Sequence, residues 1–223
     1  MELIEYPDSE MMMMRLADIL AGDLRQALTM HDRASMAVPG GTTPGPIFDN
    51  LCSVDLDWSR VDVMLTDERW VPESSDRSNT ALLRRRLLVD RAAAARLIPL
   101  YADAATPEDV LDDLTAGLAP SLPLSVVLLG MGADMHTASL FPGADRLDHA
   151  LNGDDTLVAM RAPGAPEPRI TLSAKVLNDA YNRHIVIIGA EKRAALDKAQ
   201  TLSVEEAPVS AVLKDCTVHW AEA

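Results

Sequence analysis

Cysteine is almost missing from this sequence: Cys52 and Cys216 are the only two in 223 residues. Their separation fits neither a metal knuckle nor a disulfide scaffold, so a reducing, cytoplasmic setting is expected. Long apolar runs are missing as well. None approaches the roughly 20 residues that a bilayer span requires. The start, MELIEYPDSE, lacks the basic region and apolar stretch of a secretory signal. Positive charge is scarce, with 20 Lys and Arg against 34 Asp and Glu, a formal net charge of −14. That balance argues against nucleic acid and anionic membranes as partners. No internal repeat or low-complexity tract breaks the chain.

What is present suffices for a core. Hydrophobic residues make up 48% of the chain, which suits one domain over residues 1–223 with room for a small subsidiary lobe. The acidic surface also sets a condition on any anionic ligand. Physiological salt screens charge beyond about 8 Å, so a local cluster of Arg, Lys and backbone N–H groups must do the binding.

The pattern alternates strand and helix. Residues 9–30 read as a helix capped by Ser9, with Leu16, Leu20, Leu24 and Leu28 recurring every fourth position. The run Met11–Met14 reads as core filler. Strands are expected at Ser35–Pro39, at Val61–Thr66 with in–out alternation, at RLIPLY, at LSVVLLG, at TLVAM and at RHIVIIGA. TVHWA is expected as an edge strand. Helices are expected at 46–54, 80–89, 107–118, 173–180 and 191–200, with Arg161–Arg169 as a proline-rich loop. This order predicts an α/β fold: a mostly parallel, Rossmann-like sheet with helices on both faces. Ligands of such sheets bind outside the carboxyl ends of the strands.

Four loops should meet at that edge. Gly40–Gly45 puts two glycines, Thr42 and Thr43 between a strand and a helix, which makes either a phosphate cradle or a plain tight turn. No Gly-Lys-Ser/Thr follows, so it is not a P-loop. In Asp67–Asn79, Arg69 directly after a strand is either a bidentate phosphate clamp or half of a surface ion pair. In Gly130–Gly143, Met135 stands where a dinucleotide fingerprint needs its third glycine. Asp134 and His136 there suggest a base and its orienter, since an ordinary imidazole titrates near pH 6.5. His149 is too poorly spaced to complete a metal site, so no metal is expected. In Gly189–Lys192, Lys192 opens a helix, where a cation is normally unfavourable unless it meets an anion or solvent. Arg84–Arg86 reads as a solvated face. Ser139 lacks the G-x-S-x-G elbow of a nucleophile.

Taken together the loops resemble the 6-phosphogluconolactonase family, the lactonase branch of the group whose fold is shared with glucosamine-6-phosphate deaminase. GGTTP resembles the family's phosphate loop. TDERWVP followed by Ser78-Asn79 resembles a second motif, GMGADMHTASLFPG a third and PRITLS a fourth. The resemblance implies hydrolysis of 6-phospho-D-glucono-1,5-lactone to 6-phosphogluconate, without metal or cofactor, by a monomer or weak homo-oligomer. It implies His136 as general base oriented by Asp134. Gly40, Gly41, Thr42, Thr43, Arg69 and Lys192 would hold the phosphate, with Arg169 a further contact. Two rivals are a deaminase and a non-catalytic sugar-phosphate sensor. The deaminase pattern has a glutamate five residues past the histidine, where this chain has Phe141. The chain departs from the lactonase pattern at Met135, usually glycine, and at Ser75 and Arg77, often histidine and aspartate. A positive φ at Met135 would strain methionine by about 1–2 kcal/mol.

Overall fold

Helix α1 (Ser9–Met30) forms where the sequence offers an apolar stripe. Met12, Met13, Leu16, Ala17, Leu20, Ala21, Leu24 and Ala27 are all buried along one side. Its cap is Asp8 rather than the expected Ser9: Asp8 is extended and its carboxylate accepts from the Met11 amide at 2.7 Å. Ser9 is already inside the helix. Met12 and Met13 enter the core, whereas Met11 and Met14 face solvent.

In the computed structural model, which describes residues 1–223, the strands form two sheets. The larger contains β1 (Glu2–Tyr6), β2 (Ala34–Val38), β3 (Val61–Leu65), β5 (Arg96–Leu97), β6 (Val126–Gly130), β9 (Asn182–Ile188) and β10 (Thr217–Ala221). Its order is β1-β10-β9-β6-β2-β3-β5, and every pairing is parallel. The smaller sheet is antiparallel, ordered β4 (Asp67–Arg69), β8 (Arg169–Leu172), β7 (Leu157–Met160). The remaining helices are α2 (Gly45–Leu51), α3 (Asn79–Arg86), α4 (Leu111–Leu118), α5 (Leu147–Asn152), α6 (Ala174–Asp179) and α7 (Ala190–Ala199). One apolar core of 59 buried residues runs through the molecule.

Strands β2 and β3 are buried at every position, as strands covered on both faces should be. The alternation expected for β3 is therefore absent. Asp62, which an in–out strand would expose, is buried between Arg33, Arg96 and Ser121 and accepts from all three. Burial pushes its carboxyl up, but those partners outweigh burial and hold it below the usual range. The expected edge strand at 217–221 is interior, because β1 pairs along its outer side. Expected β7 belongs to the small sheet.

From β2 the chain moves outward to β3 and β5. It returns at β6 beside β2 and proceeds the other way to β9 and β10. The crevice at the carboxyl ends of β2 and β6 is thus the point where strand order reverses, and ligands bind at such points.

Candidate active site

All four loops converge on that crevice. A cleft of about 260 Å³ is lined by Gly40, Gly41, Thr42 and Thr43 from the loop after β2, Asp67 and Arg69 from β4, and Asn79 from α3. Gly130, Gly132 and His136 after β6, Arg169 of β8 and Lys192 of α7 complete it. Helices α2 and α7 begin beside this cleft, and neither has a side-chain cap on its first-turn amides, of which Pro46 supplies none in α2. Those amides therefore remain for a ligand, and they favour an anion.

Close packing of side chains on backbone explains two glycines. A Cβ on Gly40 would come within 2.0 Å of Asn79 Oδ1. That position must stay bare for Asn79 to reach across and donate to the Asp67 carbonyl at 3.2 Å. A Cβ on Gly132 would lie 2.3 Å from His136 Nδ1 and 2.4 Å from Asp134 Oδ1.

The reason is the contact between those two side chains. His136 Nδ1 lies 2.5 Å from Asp134 Oδ1. A carboxylate only accepts, so the shared hydrogen sits on Nδ1, and it is Nε2 that carries the lone pair of the neutral ring. The imidazole holds the Asp134 carboxyl below the usual carboxylate range, chiefly through that hydrogen bond. Asp134 itself is off the cleft wall, behind the ring. Between them Met135 adopts φ 65°, the left-handed conformation expected if the family glycine was there for its backbone. The Val209 amide donates to the Met135 carbonyl at 3.0 Å and pins the turn.

The cations are pre-set rather than neutralised. Glu68, fully buried, accepts from the Arg69, Asn79 and Thr80 amides and from the Ser78 and Thr80 hydroxyls. It thereby welds β4 to the start of α3. Arg69 spends one nitrogen on the Arg77 carbonyl at 2.6 Å, and its Nε is buried without a partner. Arg169 is in the same condition: its Nε has no partner, and its nearest carboxylate, Asp67, is 3.8 Å away. Burial lowers the Arg169 pKa from the ordinary arginine value, with Arg69 and Arg77 adding to the effect and Asp67 opposing it. Two guanidiniums, each with a buried Nε that has no partner, favour a ligand rich in anionic oxygens.

Residues 7–220 match the family described as glucosamine-6-phosphate isomerases/6-phosphogluconolactonase. The chain belongs to that family. It is 42% identical over 215 residues to a 6-phosphogluconolactonase of Rhizobium meliloti, covering 92% of each chain. Against a 6-phosphogluconolactonase of Pseudomonas aeruginosa it is 43% identical over 210 residues, covering 92% of this chain and 88% of the relative. A solved 6-phosphogluconolactonase from Shewanella baltica superposes with a TM-score of 0.96 at 33% identity, over 99% of this chain and 97% of that one.

Within this family fold, sequence reasoning missed several supports. Asp67 and Ser139 are joined at 2.6 Å inside the protein, with Ser139 donating. A fully buried serine already committed to a carboxylate is no exposed nucleophile. Asn79 and Glu68 stand out in the sequence only as letters of the second motif, TDERWVP followed by Ser78-Asn79. Arg77, a departure from the family pattern, pairs with Glu167. Of the α3 arginines expected as a solvated face, Arg84 and Arg85 are exposed, with Arg84 paired to Glu73, whereas Arg86 is half-buried over Gly45 and paired to Asp49. His149 pairs with Asp155 away from the cleft.

Proposed function

We propose that the chain hydrolyses 6-phospho-D-glucono-1,5-lactone to 6-phosphogluconate. One observation carries the reading: a carboxylate-oriented imidazole opens onto the same cleft as the glycine–threonine loop, Arg69, Arg169 and Lys192. The name shared by the relatives supplies the substrate.

His136 acts as general base. Its Nε2 takes a proton from a water molecule as the water oxygen bonds to the lactone carbonyl carbon. The tetrahedral intermediate collapses by breaking the bond to the ring oxygen, which takes the proton back from the imidazolium and leaves as a hydroxyl. The free acid then ionises. Asp134 fixes the tautomer and steadies the imidazolium while it carries the extra proton. The phosphate sits against Gly40, Gly41, Thr42 and Thr43, with Arg69, Lys192 and Arg169 supplying charge. Holding this remote dianion fixes the distance from carbonyl to imidazole, so binding energy far from the ester works as orientation. The deaminase alternative loses support from Phe141, which offers no carboxylate to the imidazole. The same reading sets the enzyme in the cytosol as a monomer or weak homo-oligomer, in keeping with its two buried free thiols.

The test is turnover of freshly made 6-phosphogluconolactone, followed above its spontaneous hydrolysis, with glucosamine 6-phosphate as the second substrate. Lactone turnover alone is expected. Ammonia release from the amino sugar, or saturable binding without turnover of either compound, would replace the reading by the deaminase or the sensor.

A further inference from the structure

The loop after β6 doubles back five residues beyond His136 and brings Phe141 against the imidazole. The ring centroids are 4.2 Å apart and the planes are inclined by 27°, a stacked arrangement. The same phenyl ring carries the Arg169 guanidinium, whose central carbon lies 5.5 Å from its centroid. One partly exposed aromatic side chain thus touches both the base and a cleft cation.

The turn that presents Phe141 is held from several directions. The Leu140 amide donates to the Thr137 carbonyl at 2.9 Å and the Phe141 amide to the Ser139 carbonyl at 3.1 Å. Thr137 donates its hydroxyl to the Gly130 carbonyl at 2.8 Å. The Ser139 hydroxyl and amide reach Asp67 and Thr171 of the small sheet. The ring therefore stands on a braced backbone.

A single hydrogen bond at Nδ1 leaves the imidazole free to swing about the line joining it to Asp134. Swinging would carry Nε2 away from a bound ester without breaking the bond to the carboxylate. A flat contact on one ring face removes that freedom and keeps water off the face. The charged groups around the ring are Asp134 at its Nδ1 and Arg169 across the phenyl, with Asp67 behind Arg169.

We propose that Phe141 is a positioning residue for lactone hydrolysis: its ring fixes the plane of His136 so that Nε2 faces the cleft. The proposal rests on the lactonase reading. Arg169 keeps Asp67 as a second hold, so loss of the phenyl should fall mainly on the base and not on substrate binding.

The test compares Phe141→Leu, which stays apolar but loses the ring, with Phe141→Tyr, which keeps it. For Phe141→Leu, kcat should fall roughly 10–100-fold, the scale of misplacing a reacting group by about 1 Å, with KM nearly unchanged. Phe141→Tyr should restore most of the loss. Near-wild-type kcat in folded Phe141→Leu, or a Tyr variant as poor as the Leu variant, would overturn the proposal. A substrate-free readout accompanies these. Stacking should shift the carbon-bound ring protons of His136 upfield in the wild-type NMR spectrum relative to the urea-unfolded chain, and Phe141→Leu should abolish the shift. Unshifted wild-type resonances would overturn the proposal even if Phe141→Leu failed to fold. A wild-type chain with shifted resonances and no lactone turnover would instead remove the functional reading and leave the stack standing.

Discussion

At the scale of single residues, the site depends on side chains that fit only because something next to them is missing. Gly132 is the sharpest case. Its backbone does not need a left-handed conformation, so alanine there is tolerated by the chain but not by its neighbours at 2.3 and 2.4 Å. Gly132→Ala should therefore lower kcat by about 10²-fold through misplacement of His136 and Asp134, with little change in melting temperature. Equal losses of stability and activity would mean that the glycine serves the fold. Arg69 should behave in the opposite kinetic sense. On the proposed phosphate-clamp role, Arg69→Ala should remove a charged hydrogen bond to the substrate and weaken its binding by about 1.5–3 kcal/mol. Steady-state kinetics should show this as a raised KM, and an unchanged KM would take Arg69 out of the clamp. Chemical type made His136, Asp134 and Arg69 visible in the sequence. Phe141 and Asn79 act by shape and contact across the chain, which no local pattern encodes.

At the scale of elements, sequence periodicity revealed what a strand or helix buries along itself, and little of what a distant segment does to it. Helix α1 and strand β6 were legible because their apolar patterns are long or continuous. Strand β1 was not: its five residues carry two exposed glutamates, and it exists because β10, from the other end of the chain, pairs with it. That junction also holds a buried polar chain. Tyr6 donates to His219 Nδ1 at 2.9 Å, His219 Nε2 lies 3.0 Å from His184 Nδ1, and His184 Nε2 lies 2.9 Å from Asp23 of α1. Every imidazole nitrogen of His219 and His184 thus has a polar partner. Burial, with the charge of His184 adding to it, pushes the His219 pKa down to about 3. The unfolded chain therefore takes up the proton first, near pH 6.5, and the folded form resists until about pH 3. The stability this neutral imidazole contributes is complete above pH 6.5 and declines as pH falls through that window, by about 1.4 kcal/mol per unit. Urea unfolding across the window should show His219→Gln to be less stable at neutral pH but shallower in its pH slope. Parallel slopes would contradict this.

At the scale of the molecule, a net charge of −14 surrounds a cleft walled by Arg69, Arg169 and Lys192. Screening confines the acidic surface to about 8 Å at physiological salt, so the local cations decide which anions enter. Inorganic phosphate, as a fragment of the proposed substrate, should stabilise the fold, by about 2.7 kcal/mol at a hundred times its Kd. Chloride at equal ionic strength should not. Thermal unfolding measures the difference, and equal effects of the two salts would argue against a phosphate site. The α/β class and the meeting of four loops were legible because parallel sheets gather their loops at one edge. The three-stranded antiparallel sheet was legible only in part: β7 falls on the expected strand TLVAM, but β4 and β8 are short, and β4 comes from a distant part of the chain. Yet this sheet sets Arg69 opposite Arg169, in register across β4 and β8.

The most direct measurement of the whole account is the turnover of fresh 6-phosphogluconolactone by His136→Ala. A fall in kcat of about 10²–10⁴-fold, the usual contribution of a positioned base, with phosphate binding retained, is the predicted result. Hydrolysis at the wild-type rate would contradict it.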